Sequence, residues 1–166
     1  MFFAPPPTTE TSVFASLPDN LRMHGEPSEW RDGQPGSQPV HSLLEGPAFD
    51  RDGNLWCVDI AYGRIFRLRP NHGFEVMIAY DGEPNGLKIH RDGRIFVADY
   101  RNGIVTVDPD TGKVTPVLER VRLERLKAVN DLVFDSHGNL YFTDQGLTGW
   151  QDPTGRVFRL RPDGRV

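Results

Sequence analysis

Apolar residues in this chain fall into short runs separated by Gly-, Asp- and Pro-rich stretches, and none is long enough or spaced correctly for a helix. Leu55-Trp56-Cys57-Val58, Ile95-Phe96-Val97-Ala98 and Leu140-Tyr141-Phe142-Thr143 are rich in β-branched and aromatic residues and nearly continuous in apolar character. Such runs predict strands covered on both faces. Each follows another apolar run across a turn, at Asp52-Gly53, Asp92-Gly93 or His137-Gly138. Asp-Gly in this setting predicts a hairpin with a two-residue type I′ turn, in which both central residues take φ > 0. A third run follows in each copy (Gly63–Leu68, Gly103–Val107, Gly155–Leu160), and a fourth in the first two, Phe74–Ile78 and Lys113–Leu118.

The pattern repeats. The turn glycines Gly53, Gly93 and Gly138 are 40 and 45 residues apart, and Asp59, Asp99 and Asp144 keep the same intervals. Four antiparallel strands in a unit of this length describe the blade of a β-propeller. The expected organisation is an N-terminal extension and loop over 1–43, then an incomplete all-β propeller over 44–166. Its blades run over about 45–80, 85–118 and 130–166. Residues 1–10 are expected to be disordered, Thr11–Leu17 to form a strand, and Pro18–Pro39 to be loop. The third copy is longer between its second and third strands, and residues 145–155 there form an extended loop carrying Trp150.

Eight residues before each turn glycine stand Glu45, Asn85 and Asn130. Equivalent positions of successive blades lie on a ring about the propeller axis, so these oxygen-bearing side chains are candidates for one axial site. A carboxylate and amide carbonyls are hard donors that favour Ca²⁺, with Mg²⁺ or Mn²⁺ next and Zn²⁺ least suited. Residues of these types also serve at strand starts simply to satisfy the backbone.

On Leu44-Glu45-Gly46-Pro47, Pro84-Asn85-Gly86-Leu87, Asn130–Asp135 and Tyr141–Gly146, the chain resembles the SMP-30/gluconolactonase/LRE family. That resemblance implies a six-bladed propeller hydrolysing lactones or related esters with a divalent metal on its axis. It matches Glu45 to a metal ligand and Asn130 to the asparagine that meets the metal or the substrate, with Asp131 behind it. Asn85, at a position where members vary, is kept as a substrate-binding candidate, and Asp131 is read as orienting Asn130. It also implies that the catalytic base comes from a later blade, beyond Val166, this chain being an N-terminal portion. Ala128 stands where sugar-recognising members carry arginine.

Composition narrows the alternatives. Nineteen Lys and Arg against 23 Asp and Glu give a net charge of −4 with interspersed signs, which excludes a basic field for nucleic acid. No apolar run is long enough for a membrane helix, and the N-terminus lacks the basic and apolar regions of a signal peptide. Cys57, the sole cysteine, is read as a core residue in a cytoplasmic protein. Arg120–Lys127 is read as a solvated inter-blade loop. The competing function is a non-catalytic propeller that binds a ligand or partner, and open blade edges invite self-association.

Overall fold

The computed structural model describes residues 4–36, 38–146 and 148–166. The first sheet comprises β1 (Leu44–Phe49), β2 (Leu55–Asp59), β3 (Arg64–Arg69) and β4 (Gly73–Ala79), paired antiparallel in that order. The second repeats it with β5 (Pro84–Ile89), β6 (Ile95–Asp99), β7 (Gly103–Asp108) and β8 (Lys113–Leu118). A two-stranded hairpin follows, β9 (Arg120–Val121) with β10 (Glu124–Arg125), so the segment read as loop carries its own pairing. The third sheet has three strands, β11 (Val129–Phe134), β12 (Leu140–Asp144) and β13 (Arg156–Leu160).

The sheets stack face to face as successive propeller blades. Trp56, Val58, Ile65 and Ile78 of the first pack against Leu87, Val97, Val105 and Val107 of the second. Phe96, Ala98 and Ile104, from the opposite face of the second, pack against Val129, Leu132, Leu140 and Phe142 of the third. Every residue of β6 is therefore buried, as its unbroken apolar run requires. In β12 burial alternates instead. Phe142 is enclosed while Thr143 is exposed, and Val133 and Val157 on the same side as Thr143 are 55% and 70% exposed.

The hairpins are where expected, but their turns are of another kind. Asp50 N–H donates to Asn54 O and Gly53 N–H to Asp50 O, and the same pair of bonds recurs at His90–Arg94, Asp135–Asn139 and Arg161–Arg165. These are three-residue loops in which only the glycine (Gly53, Gly93, Gly138, Gly164) takes a positive φ; Asp52, Asp92 and His137 do not. In the first and third blades the side chain ahead of the loop braces this geometry. Asp50 Oδ1 accepts from the N–H groups of Asp52 and Asn54 (2.9 Å each), and Asp135 Oδ1 from those of His137 and Asn139 (2.9 and 2.8 Å).

The expected strand at Thr11–Leu17 is not formed. That stretch is irregular, as are residues 4–10; the expectation for residues 1–3 lies outside the described residues. With no strand beside it, the stretch lies across the face of the first sheet turned away from the second. Leu17 is buried against Cys57 and Phe66, and Phe14 meets Phe49 edge-on at 6.3 Å. Cys57 is accordingly a core residue, its thiol pushed up to about 12 by burial and by the nearby Asp59 charge. Residues 18–42 form a strap with a 3₁₀ turn at Asp19–Leu21 and a one-turn helix, α1 (Glu29–Asp32), capped by Ser28. Among the described residues no helix is long and apolar enough to cross a membrane.

Candidate functional site

The strands β1, β5 and β11 lead their blades and lie side by side, β5 between the other two. Call the end at which they begin the upper end; the hairpin turns lie at the lower end. Three devices shape the upper end, the first two of them in every blade.

The first is a buried aspartate. Asp59, Asp99 and Asp144 close β2, β6 and β12, are fully buried, and pair across the ladder with Leu44, Pro84 and Val129. Each accepts backbone N–H groups from the chain leading into its blade. Asp59 Oδ1 takes Leu43 N–H (2.8 Å), Asp99 Oδ1 takes Glu83 N–H (3.2 Å), and Asp144 Oδ1 takes those of Lys127 and Ala128 (2.8 and 2.7 Å). Their second oxygens bind Arg64 Nε (3.0 Å), Tyr80 OH (2.6 Å) and Arg156 Nη2 (2.8 Å). Tyr80 replaces arginine in the second blade, where Gly103 stands opposite Asp99 at the position that Arg64 and Arg156 hold opposite Asp59 and Asp144. Burial and the Asp99 carboxylate hold its hydroxyl well above the usual phenol range, so it stays protonated and donates.

The second device is a β-bulge. Immediately past the aspartate-paired residue, β5 shifts register between Pro84 and Gly86 and β11 between Val129 and Leu132, and β1 does so one residue later, between Glu45 and Ala48. Each bulge adds one residue to the leading strand. Glu45, Asn85 and Asn130 are the first residues after the aspartate-paired position, so all three occupy the same step of adjacent strands. Bulges re-aim side chains and recur beside functional sites.

The third device is close approach of the strands. A Cβ on Gly46, which has φ +56°, would lie 2.5 Å from Leu87 N and 2.9 Å from Asn85 O. One on Gly86 would lie 2.8 Å from Asn130 O and 2.7 Å from Asp131 Oδ1. Glycine directly after Glu45 and after Asn85 thus lets the backbones carrying the three candidates touch.

Among the described residues, the Glu45 carboxylate and the Asn85 and Asn130 amides make no hydrogen bond. For exposed Glu45 this is ordinary. Asn85 is 9% exposed as a residue, and its amide, though without a protein partner, is not sealed from solvent. The amides of Asn54, Asn102 and Asn139 all find protein partners. The backbone-satisfying role open to Asn85 and Asn130 from sequence is therefore not the one these side chains play. Asp131 does not bond to the Asn130 side chain. Its Oδ1 accepts from its own neighbour Leu132 N–H (2.8 Å) and from Lys88 Nζ (3.3 Å). Among the described residues no group of three or more His, Cys, Asp or Glu side chains is placed to hold a metal. An oxygen-seeking cation fits the donor set chemically, with one carboxylate and two amides drawn from this chain.

Two peripheral elements share the upper end. Because β12 ends at Asp144, opposite the start of β11, the 145–155 loop leaves the sheet beside Asn130. Thr148 braces it: its Oγ1 donates to Asp152 O (2.9 Å) and accepts from the N–H groups of Thr154 and Gly155. Trp150, at the loop's tip, is fully exposed. The strap is fastened there too, by Ser28 Oγ on Ala61 O (2.6 Å), Tyr62 OH on Val40 O (2.6 Å) and Arg64 Nη1 on Leu21 O (2.8 Å). Sequence reading missed Tyr80, Arg64, Arg156 and Lys88. The arginines at one register, each one residue after Gly63 or Gly155, were the available signal.

Stacked antiparallel blades, two of four strands and one of three, with bulged leading strands make this a β-propeller. The pattern of the SMP-30/Gluconolactonase/LRE-like region matches residues 43–166, and the chain belongs to that family. Lactonase drp35 of Staphylococcus aureus is 34% identical over 131 residues, covering 74% of this chain and 39% of the relative. Its Staphylococcus haemolyticus counterpart is 33% identical over 129 residues, covering 72% and 38%. A gluconolactonase structure from Xanthomonas campestris superposes with a TM-score of 0.65 at 27% identity, over 74% of this chain and 45% of that one. The calcium-binding protein regucalcin from Agrobacterium tumefaciens gives 0.60 at 25% identity, over 75% and 41%. The chain spans about two fifths of the length of the curated relatives it matches.

Proposed function

We propose that the protein hydrolyses lactones or related esters, using a divalent cation held by Glu45 and Asn130, with Asn85 contacting substrate or completing the donor set. The placement of Glu45, Asn85 and Asn130 at one step of adjacent bulged strands, each side chain without a partner among the described residues, carries this reading. Family membership supplies the reaction class. Glu45 and Asn130 would hold the cation, and its chemistry there would be polarisation of the ester carbonyl and acidification of a water molecule. Glu45 contributes the negative charge that draws it in. Asn85 and Asn130 each offer an acceptor oxygen to the cation and N–H groups to an ester oxygen, without surrendering any internal bond. Calcium is the favoured ion because all three donors are oxygen. Asp131 is not assigned the role of base, its carboxylate being held by Lys88 and Leu132 N–H. The 145–155 loop is placed on the substrate side of the upper end.

One observation favours a second reading, a propeller that binds without hydrolysing: the described residues hold no three-membered acidic or histidine cluster. A single experiment separates the two. Acid release from a γ- or δ-lactone is followed at constant pH with CaCl₂ and after chelation, for the wild type and Glu45→Gln. Chelation and the substitution should each lower the rate by about a hundredfold or more. A rate indifferent to both overturns the metal-dependent reading. A calcium-raised melting temperature without hydrolysis supports the binding module.

A further inference from the structure

We infer that Arg101 is a positioning residue for this site: it sets where Asn85 stands relative to Glu45 by joining the two chain segments that deliver them. The inference rests on the metal reading above. The guanidinium meets three carboxylates from two parts of the chain, the strap and the turn leading into β5. Its Nη2 lies 3.0 Å from Glu83 Oε1 and 2.8 Å from Glu29 Oε2, and its Nη1 is 2.7 Å from Asp81 Oδ1. Single exposed ion pairs contribute little, but a planar fork that closes a network fixes geometry. Glu83 is the partner most withdrawn from water, its side chain 13% exposed, and it stands two residues before Asn85.

The backbone around this contact is cross-linked as well. Tyr100 N–H donates to Glu83 O (2.8 Å), and Asn102 Nδ2 to Asp81 O (3.0 Å). Asp99 Oδ1 accepts from both Glu83 N–H and Arg101 N–H. On the other side, Glu29 opens α1 of the strap. The strap runs through His41 into Leu43, whose N–H is held by Asp59 two residues before Glu45. Arg101 is thus the point where the route into Glu45 meets the route into Asn85. The first blade has nothing comparable. Its residue at this register is Ala61, which offers Ser28 only a backbone carbonyl.

The sign of one substitution separates positioning from simple electrostatics. Removing a cation near a metal site should, by charge alone, tighten calcium binding. Loss of positioning should weaken it. Calorimetric titration of the chelator-treated protein with CaCl₂ is expected to show Arg101→Ala binding about tenfold more weakly. Arg101→Lys, a point charge unable to span three carboxylates, should show a smaller weakening. Unchanged or tighter binding by Arg101→Ala overturns the inference. If that variant does not fold, unchanged binding by Arg101→Lys does so. Glu45→Gln is the control. If calcium binding survives it, the metal reading itself falls, whereas loss of binding there with full affinity in the Arg101 variants sinks only the positioning role.

Discussion

The two ends of the blades use the same residue types in opposite ways. At the lower end, Asn54 and Asn139 donate their amides to Asp50 and Asp135, and those aspartates in turn hold two backbone N–H groups each. Those asparagines and aspartates are committed to shaping a turn. At the upper end, Asn85 and Asn130 are committed to nothing within the described protein. A residue whose hydrogen-bonding capacity is spent internally stabilises the fold; one whose capacity is left over has it available for a ligand. The contrast lies in the partners rather than in the kind of residue.

The sharpest way to break this comparison is Gly86→Ala. The new methyl would press on Asn130 O and Asp131 Cα, both 2.8 Å away and both part of the neighbouring strand. We expect a loss of about 3 kcal/mol of stability and of the site together, read by denaturant unfolding. Next in size is a matched pair. Asn139→Ala should cost about 1 kcal/mol by removing the 2.7 Å bond to Asp135. Asn130→Ala should stay within about 0.5 kcal/mol of the wild type while activity or calcium affinity collapses. Equal destabilisation by the two would erase the distinction drawn above.

The smallest effect is a pH dependence. The Asn139 amide and the turn N–H groups hold the Asp135 carboxyl below its ordinary range. For Asp50, burial pushes upward but is outweighed by the bonds from Trp56 and Asn54, and the net shift is also downward. Groups lowered in the folded state bind fewer protons there than in the unfolded chain. Their stabilisation is therefore complete above about pH 4 and is lost as the pH falls through the lowered values. Melting temperature should decline below about pH 4, and Asp135→Asn should flatten that decline. A variant as acid-sensitive as the wild type would remove Asp135 from the account.

Much of the fold was legible because blades repeat. Three copies of one pattern located β2, β6 and β12 to within a residue, and the continuous apolar run of β6 matches its burial on both sides. The turn type was not legible from Asp-Gly alone. Asp50 and Asp135, three residues ahead of Gly53 and Gly138, brace the longer loop, and their role depends on atoms that meet only once the hairpin closes. For the same reason no bulge could be read, since a register shift belongs to a pair of strands. The three candidate donors were found by counting from the glycines and by family resemblance, yet what marks Asn85 out physically is a missing partner. Tyr80 and Arg101 gain their importance from residues up to 72 positions away, a distance local pattern does not cover. The strand expected at Thr11–Leu17 had the right composition, but pairing needs a neighbour, and Leu17 found a hydrophobic pocket instead.

The bulge beside each buried aspartate has an evolutionary consequence. Because the aspartate, the ladder and the following close contact hold the leading strand without help from the residue just after the aspartate-paired position, that residue is free to vary between copies. Here it is glutamate once and asparagine twice, on an otherwise common frame. Duplication of such a unit hands selection a set of interchangeable sockets, in which new chemistry can be tried one side chain at a time while the scaffold stays intact.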